Sequence, residues 1–246
     1  MSNYKMVLQY EGTRYQGWQR QESTANTIQG KLEALLSKMC GSKVEIQGSG
    51  RTDAGVHAKG QVANAHMETD KTPAEIMEYM NRYLPEDIGV LSVEEVGERF
   101  HSRLHAKGKT YCYRIINSEI PHVFERRYAY VYPTPLDVEA MRRAAAYLTG
   151  THDFASFTST KKSKKSTIRN IEEIRIEVEK DVICIYYSGD GFLFHMVRIL
   201  TGTLIEVGNG ERKPEEIKEI LAKKKRDSAG FLVPASGLTL LEVRYE

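Results

Sequence analysis

The sequence has no apolar run longer than a few residues, against the roughly 20 that a membrane-spanning helix needs. Its opening, MSNYKMVLQY, carries neither an apolar core segment nor a small-residue cleavage site. No export signal and no membrane are therefore expected, and the cytoplasm is the expected compartment. Cysteine is scarce: Cys40, Cys112 and Cys184 stand apart, with no C-x-x-C and no Cys/His pair at metal-ligand spacing. That excludes the usual zinc frameworks, and an odd number of scattered thiols suits a reducing compartment and burial in a core. P-loop and dinucleotide fingerprints are also missing, so no nucleotide cofactor is implied. Low-complexity sequence is absent; KKSKKS at 161–166 is the most biased stretch and reads as a loop. Even the charge is nearly balanced, at +2 with a pI of ≈ 8.3.

What is present is an ordinary globular composition, 246 residues with 41% hydrophobic and 28% charged side chains. The charge is unevenly placed. Lys161, Lys162, Lys164 and Lys165 crowd together, Lys223, Lys224, Lys225 and Arg226 are consecutive, and Arg99, Arg103, Lys107 and Lys109 form a looser group. Any one run suits a solvated surface; together they suit phosphate binding.

The hydrophobic rhythm divides the chain in two, 1–99 and 100–246. Tyr4, Met6, Leu8 and Tyr10 alternate as on a strand over 4–10. Ile28, Leu32, Leu35, Leu36 and Met39 keep helical spacing over 27–40, with Gly41 as a stop. Strands follow at 43–48 and 60–67, and Thr72-Pro73-Ala74-Glu75 combines a capping box with a proline at the first helical position. Pro85 closes that helix before a strand at 89–96, giving βαββαβ, a ferredoxin-like order. The second half repeats the outline. Strands are expected at 109–116, 171–179, 182–188 and 238–245, and helices at 137–148, at 191–207 and from Pro214. The fold class is α+β: two related halves with mainly antiparallel sheet and a central cleft.

Between the strands at 43–48 and 60–67 lies GSGRTDAGVHA, residues 48–58. Gly48, Gly50 and Gly55 allow close backbone approach or positive φ. Asp53 before Ala54-Gly55 reads locally as an Asx-turn, with Arg51 as a surface partner. Arg198 is a cation in the otherwise apolar FLFHMVRIL, where it either snorkels to the surface or pairs with a buried carboxylate. Tyr111, and Tyr113 two residues on, read as strand packing. His57, His105, His152 and His195 lack ligand spacing and read as hydrogen-bonding or packing residues, so no metal is expected.

The string GSGRTDAGVHA closely resembles the signature of the TruA family of tRNA pseudouridine synthases. Further stretches resemble that family in the same order: YEGTRYQGWQRQ (10–21), TIQGKLEALL (27–36), LP (84–85), RFHSRLHAKGKTYCYRI (99–115), GTHDFASF (150–157), GFLFHMVRILTGTL (191–204) and ASGLTLLEVRY (235–245). The resemblance implies the pseudouridine synthase fold and a cofactor-free isomerase. Its substrate would be uridine at positions 38–40 of tRNA, in the anticodon stem-loop. It makes Asp53 the catalytic aspartate, either attacking C1′ or removing the 2′ proton. Arg198 becomes its ion-pair partner, Tyr111 the ring that stacks on the flipped uracil, and Arg51, which on an extended segment could instead pair with Asp53, the side chain that extrudes the nucleotide and fills the gap it leaves. Ile199 departs from the asparagine common there. The resemblance also implies a homodimer with tRNA spanning both subunits, the 161–165 lysines near the RNA. Two other readings stay open: a non-catalytic tRNA-binding protein, and a nucleoside hydrolase using Asp53.

Overall fold

The computed structural model describes residues 1–160 and 166–246, so the lysines of 161–165 lie outside the described residues. Its contacts divide the chain into two units, Met1–Lys107 with Thr239–Glu246, and Gly108–Leu238.

In the first unit, strand β1 (Ser2–Tyr10) buries Tyr4, Met6, Leu8 and Tyr10, the alternation that a one-sided sheet requires. Helix α1 (Ile28–Cys40) starts where the Thr27 side chain accepts the Gly30 N–H and stops at Gly41, whose φ is 65°. It buries Ile28, Leu32 and Leu36. Strands β2 (Gln47–Gly48) and β3 (His57–Met67) come next. Helix α2 (Pro73–Tyr83) begins with the expected capping box between Thr72 and Glu75, and strand β4 (Ile88–Val96) completes the unit. Pairing runs β4–β1–β3–β2 and is antiparallel throughout, the ferredoxin-like order. Strand β10 (Leu238–Arg244) returns to pair in parallel with β3 at His57 and Ala58.

The second unit opens with β5 (Gly108–Ile116), β6 (Tyr130–Val131), helix α3 (Val138–Ala146) and β7 (Gly150–Asp153). It continues with β8 (Ile168–Glu179), β9 (Val182–Gly189), α4 (Met196–Gly208) and α5 (Glu216–Lys223). Its sheet runs β5–β9–β8–β7, all antiparallel, with β6 beside β5 in parallel. The β5, α3, β8, β9, α4 sequence with strands in the order β5–β9–β8 repeats the first unit's β1–β3–β2. One sheet face, with Tyr113, Ile115, Ile185 and Tyr187, is fully buried. Among the described residues no helix is long and apolar enough to cross a membrane.

Two expected elements change for a physical reason. The strand expected at 43–48 forms a ladder only at Gln47–Gly48. Upstream, Val44 donates its N–H to Ser37 Oγ (2.9 Å) and Ile46 donates to Glu33 Oε1 (2.9 Å), so α1 side chains satisfy donors that a neighbouring strand would otherwise take. The helix expected from 191 begins only at Met196, because His195 adopts φ 64° and interrupts it. The Phe194 carbonyl instead accepts from Thr158 Oγ1 (3.1 Å) and from the Ser159 N–H (3.3 Å), while His195 Nδ1 meets Ser159 Oγ (2.9 Å).

Glu33 is the buried hinge of the first change: it also receives Arg20 Nη1 and Gln29 Nε2, each at 2.9 Å. Glu33→Ala is expected to lower stability by about 2–3 kcal/mol, since it strands a buried N–H. Glu33→Gln, which keeps an acceptor for Ile46, should lose less; urea denaturation midpoints compare the two.

Candidate active site

The loop 48–58 is shaped by bonds that all point inward. At its centre is Gln61 on β3, fully buried. Its carboxamide oxygen accepts from Ser49 Oγ (2.7 Å), and its nitrogen donates to the Gly50 carbonyl (3.2 Å) and towards Tyr10 Oη (3.4 Å). Tyr10 Oη in turn meets Thr52 Oγ1 at 2.8 Å. Burial pushes the Tyr10 hydroxyl up to about 12, against the lowering effect of its bonds to Thr52 and Gln61, so it keeps its proton at neutral pH. Ser49, Gly50 and Thr52 are thereby anchored on either side of Arg51, which is exposed, and ahead of Asp53, which is half-buried.

After Asp53 the backbone turns. The Val56 N–H reaches the Asp53 carbonyl at 3.1 Å, and Gly55 holds φ 80° at the third position, where a type II turn needs glycine. A second strap lies over the loop. Trp18 donates its N–H to the Thr52 carbonyl (3.0 Å), and Gly17, at φ 88°, packs so closely that a Cβ would sit 2.8 Å from that oxygen. Gly48 leaves room for the Trp18 indole, which a Cβ would meet at 2.6 Å. His57 Nδ1 accepts the Gly12 N–H at 3.0 Å, tying the same strap to β3. Glu11 Oε1 lies 3.6 Å from the same nitrogen.

Tyr111 and Arg198 belong to the second unit. Tyr111, on β5, has its ring 5.3 Å from Phe192, edge to face. Arg198, in the first turn of α4, is half-buried and donates Nε to the Val233 carbonyl at 2.9 Å, which sets the plane of its guanidinium. Tyr113 donates to the next carbonyl, Pro234, at 2.7 Å and is wholly in the core. Tyr113 is thus a core residue holding a loop, in keeping with its reading as strand packing. Thr203 Oγ1 accepts the Gly230 N–H (2.9 Å), so α4 carries the 230–234 segment along its length. Among the described residues no group of three or more His, Cys, Asp or Glu could hold a metal ion.

A family model described as tRNA pseudouridine synthase matches residues 6–104 and 144–246. A tRNA pseudouridine synthase A from Bacillus sp. (strain KSM-64) is 50% identical over 240 residues, 98% of each chain. A tRNA pseudouridine synthase A 1 from Clostridium tetani (strain Massachusetts / E88) is 48% identical over 245 residues, 100% of each. The chain belongs to the tRNA pseudouridine synthase family. A chain from a Cbf5-Nop10-Gar1 complex is similar at a TM-score of 0.40 and 10% identity, covering 82% of this chain and 45% of that one; nothing rests on a likeness so low.

With the family in hand, the basic groups separate. Arg99, Arg103 and Lys107 are exposed on a segment held from beneath by Asn3, whose Nδ2 reaches the Phe100 carbonyl (2.9 Å), and by Asn64, whose Oδ1 accepts the Ser102 N–H (2.8 Å). The run at 223–226 is partly structural: Lys224 pairs with Asp153 at 2.8 Å, and Arg226 Nη1 caps the Gly230 carbonyl at 2.9 Å. Asp153 is held below the usual carboxylate range, chiefly by its bond from Lys224.

Sequence reasoning missed Gln61, Thr52 and the hydroxyl of Tyr10 as parts of this arrangement. No local signal marked Gln61, because β3 reads HAKGQVANAHM and polar residues are common along it. Tyr10→Phe should lower stability by about 1 kcal/mol and reduce turnover more than substrate affinity, because it frees Thr52 without touching the loop's exposed side chains. Gln61→Leu should be more severe, leaving Ser49 Oγ and the Gly50 carbonyl without this partner, by about 2–3 kcal/mol in thermal or urea unfolding.

Proposed function

We propose that this tRNA pseudouridine synthase acts on uridine at positions 38–40 in the anticodon stem-loop of tRNA, with Asp53 as the catalytic aspartate. The observation that supports the reading is the loop anchored through Gln61, Tyr10 and Thr52, which presents Asp53 at a turn beside exposed Arg51.

The reaction breaks the bond from uracil N1 to ribose C1′, turns the base, and forms a bond from C5 to C1′. The C5 proton is lost to solvent and N1 gains one, so substrate and product have the same composition and no cofactor is needed. A carboxylate at Asp53 can attack C1′ or remove the 2′ proton; both routes need it ionised. Neither route reaches a base stacked in a stem, so the nucleotide must be flipped out. Arg51 has the exposure to enter the gap left behind. Tyr111 offers an aromatic ring for the extruded uracil. Arg198, its guanidinium oriented by Val233, would supply the cation for the carboxylate. The exposed Arg99, Arg103 and Lys107 suit contact with the phosphate backbone. Action as a homodimer in the cytoplasm completes the reading, and sedimentation of the purified protein tests the dimer.

Incubation with tRNA tritiated at uridine C5 tests the chemistry. Wild type should release tritium, and Asp53→Ala should lose release by at least about 1,000-fold while still binding tRNA. Binding without release by wild type would indicate a tRNA-binding protein, and free uracil a hydrolase. Mapping pseudouridine in tRNA from cells with and without the gene tests the position.

A further inference from the structure

Cysteine was expected to be core filling, but only Cys112 is buried; Cys184 is half-exposed. Both lie on the face of the second unit's sheet opposite Tyr113 and Tyr187. Register sets Arg114 of β5 directly across from Cys184 of β9, and Cys112 across from Tyr186, so the cysteines are diagonal neighbours. On the other side, β8 sets Glu177 across from Cys184 and Arg175 across from Tyr186. Cys184, Arg114, Glu177 and Tyr186 line an open depression of about 670 Å³.

The groups facing the Cys184 sulfur act mostly in one direction. Cys112 hydrogen-bonds it, the Arg114 charge lies beside it and bonds it, and Tyr186 bonds it as well. Together they outweigh burial and bring the Cys184 thiol down to about 6. Glu177 opposes a thiolate, but it is paired with Arg175, whose guanidinium stands 4.2 Å over the Tyr186 ring. Arg114 is shared with Glu125 at 2.8 Å, and Arg142, Lys180 and Asp181 stand at the rim. Cys40 has no such surroundings, and burial pushes its thiol up.

We propose that Cys184 is a thiol-exchange site that takes up one half of a small-molecule disulfide in this open depression, where register sets Arg114 across from it and Cys112 diagonal to it. The Cys184 thiolate, its proton already given to solvent, attacks one sulfur of R–S–S–R. A bond from Sγ to that sulfur forms as the S–S bond breaks, and the departing RS⁻ takes a proton from water. Cys184 is oxidised to the disulfide level while the departing half is reduced to a thiol. Cys112 does not complete an internal bridge. Diagonal neighbours stand roughly 7–8 Å apart at Cα, beyond the upper limit of about 6.8 Å for a disulfide. The adduct stays on Cys184.

The gain in rate is set by two opposing effects. A lowered thiol is more ionised than an ordinary one in mildly acidic solution, but a less basic thiolate is also a weaker nucleophile. The advantage over an ordinary thiol is therefore greatest below neutral pH and shrinks as the pH rises. The experiment is therefore a pH profile with dithiodipyridine on the folded full-length protein, followed by peptide masses after reaction with oxidised glutathione. One fast equivalent is expected, mapped to Cys184, with its rate falling below a midpoint of about pH 6. Arg114→Gln should move the midpoint up by at least about one pH unit and Arg114→Lys should restore most of it, with circular dichroism confirming that both fold. Preferential reaction of Cys40, a midpoint near that of an ordinary thiol, or a profile unmoved by Arg114→Gln would each overturn the proposal. So would a Cys112–Cys184 bridge in place of the glutathione adduct.

Discussion

A carboxamide with no access to water lies behind the loop that carries Asp53, and the loop's shape depends on it. Gln61 offers one acceptor and two donors at fixed angles, and Ser49, Gly50 and Tyr10 take them. Apolar packing would hold the loop down but would let it slide, since dispersion contacts have little direction. Hydrogen bonds in a buried setting penalise displacement, because each broken one leaves a polar group with no water to replace it. Among the described residues no buried side-chain nitrogen or oxygen lacks a partner, so the network is closed and not merely crowded.

The same logic recurs in the second unit with different residues. Carbonyls of the 230–234 segment are held in succession by α4 and β5: Val233 by Arg198, Pro234 by Tyr113. Arg198 thus has a structural bond through Nε in addition to whatever its terminal nitrogens do, and that bond limits how its plane can turn. In each unit a candidate functional side chain stands next to backbone that core polar groups have already fixed. Rigid surroundings of this kind are what positioning of a reacting group requires.

Much of the fold was legible because it follows from local rules. The alternation Tyr4-Met6-Leu8-Tyr10, the Gly41 stop and the Thr72–Glu75 box each act within a few residues, and each appears as expected. The misreadings fall where distant groups supplied the hydrogen bonds. Residues 43–46 look like a strand, yet Ser37 and Glu33 satisfy their donors from a helix. Residues 191–195 continue the apolar pattern of α4, yet the Phe194 carbonyl turns to Thr158 and Ser159 and His195 leaves helical φ. Charge was legible only as runs: nothing local marks Lys224 and Arg226 as bound to Asp153 and to a carbonyl while Arg99 and Arg103 stay exposed.

For the loop GSGRTDAGVHA, the sequence by itself determined the residue types, the glycines that permit its turn, and a resemblance strong enough to make Asp53 the residue of interest. Tertiary structure alone decided how that loop is held. Tyr10, Trp18 and Gln61 lie outside it in the chain, and only the pairing of β1 with β3 and the folding of 11–18 back over the loop bring them to Ser49, Gly50 and Thr52. Hydrogen bonds are short and directional, so residues far apart in sequence become partners only when the sheet register sets them within about 3 Å of one another. No local pattern encodes that register; it comes from burying the apolar faces of β1 and β3 together.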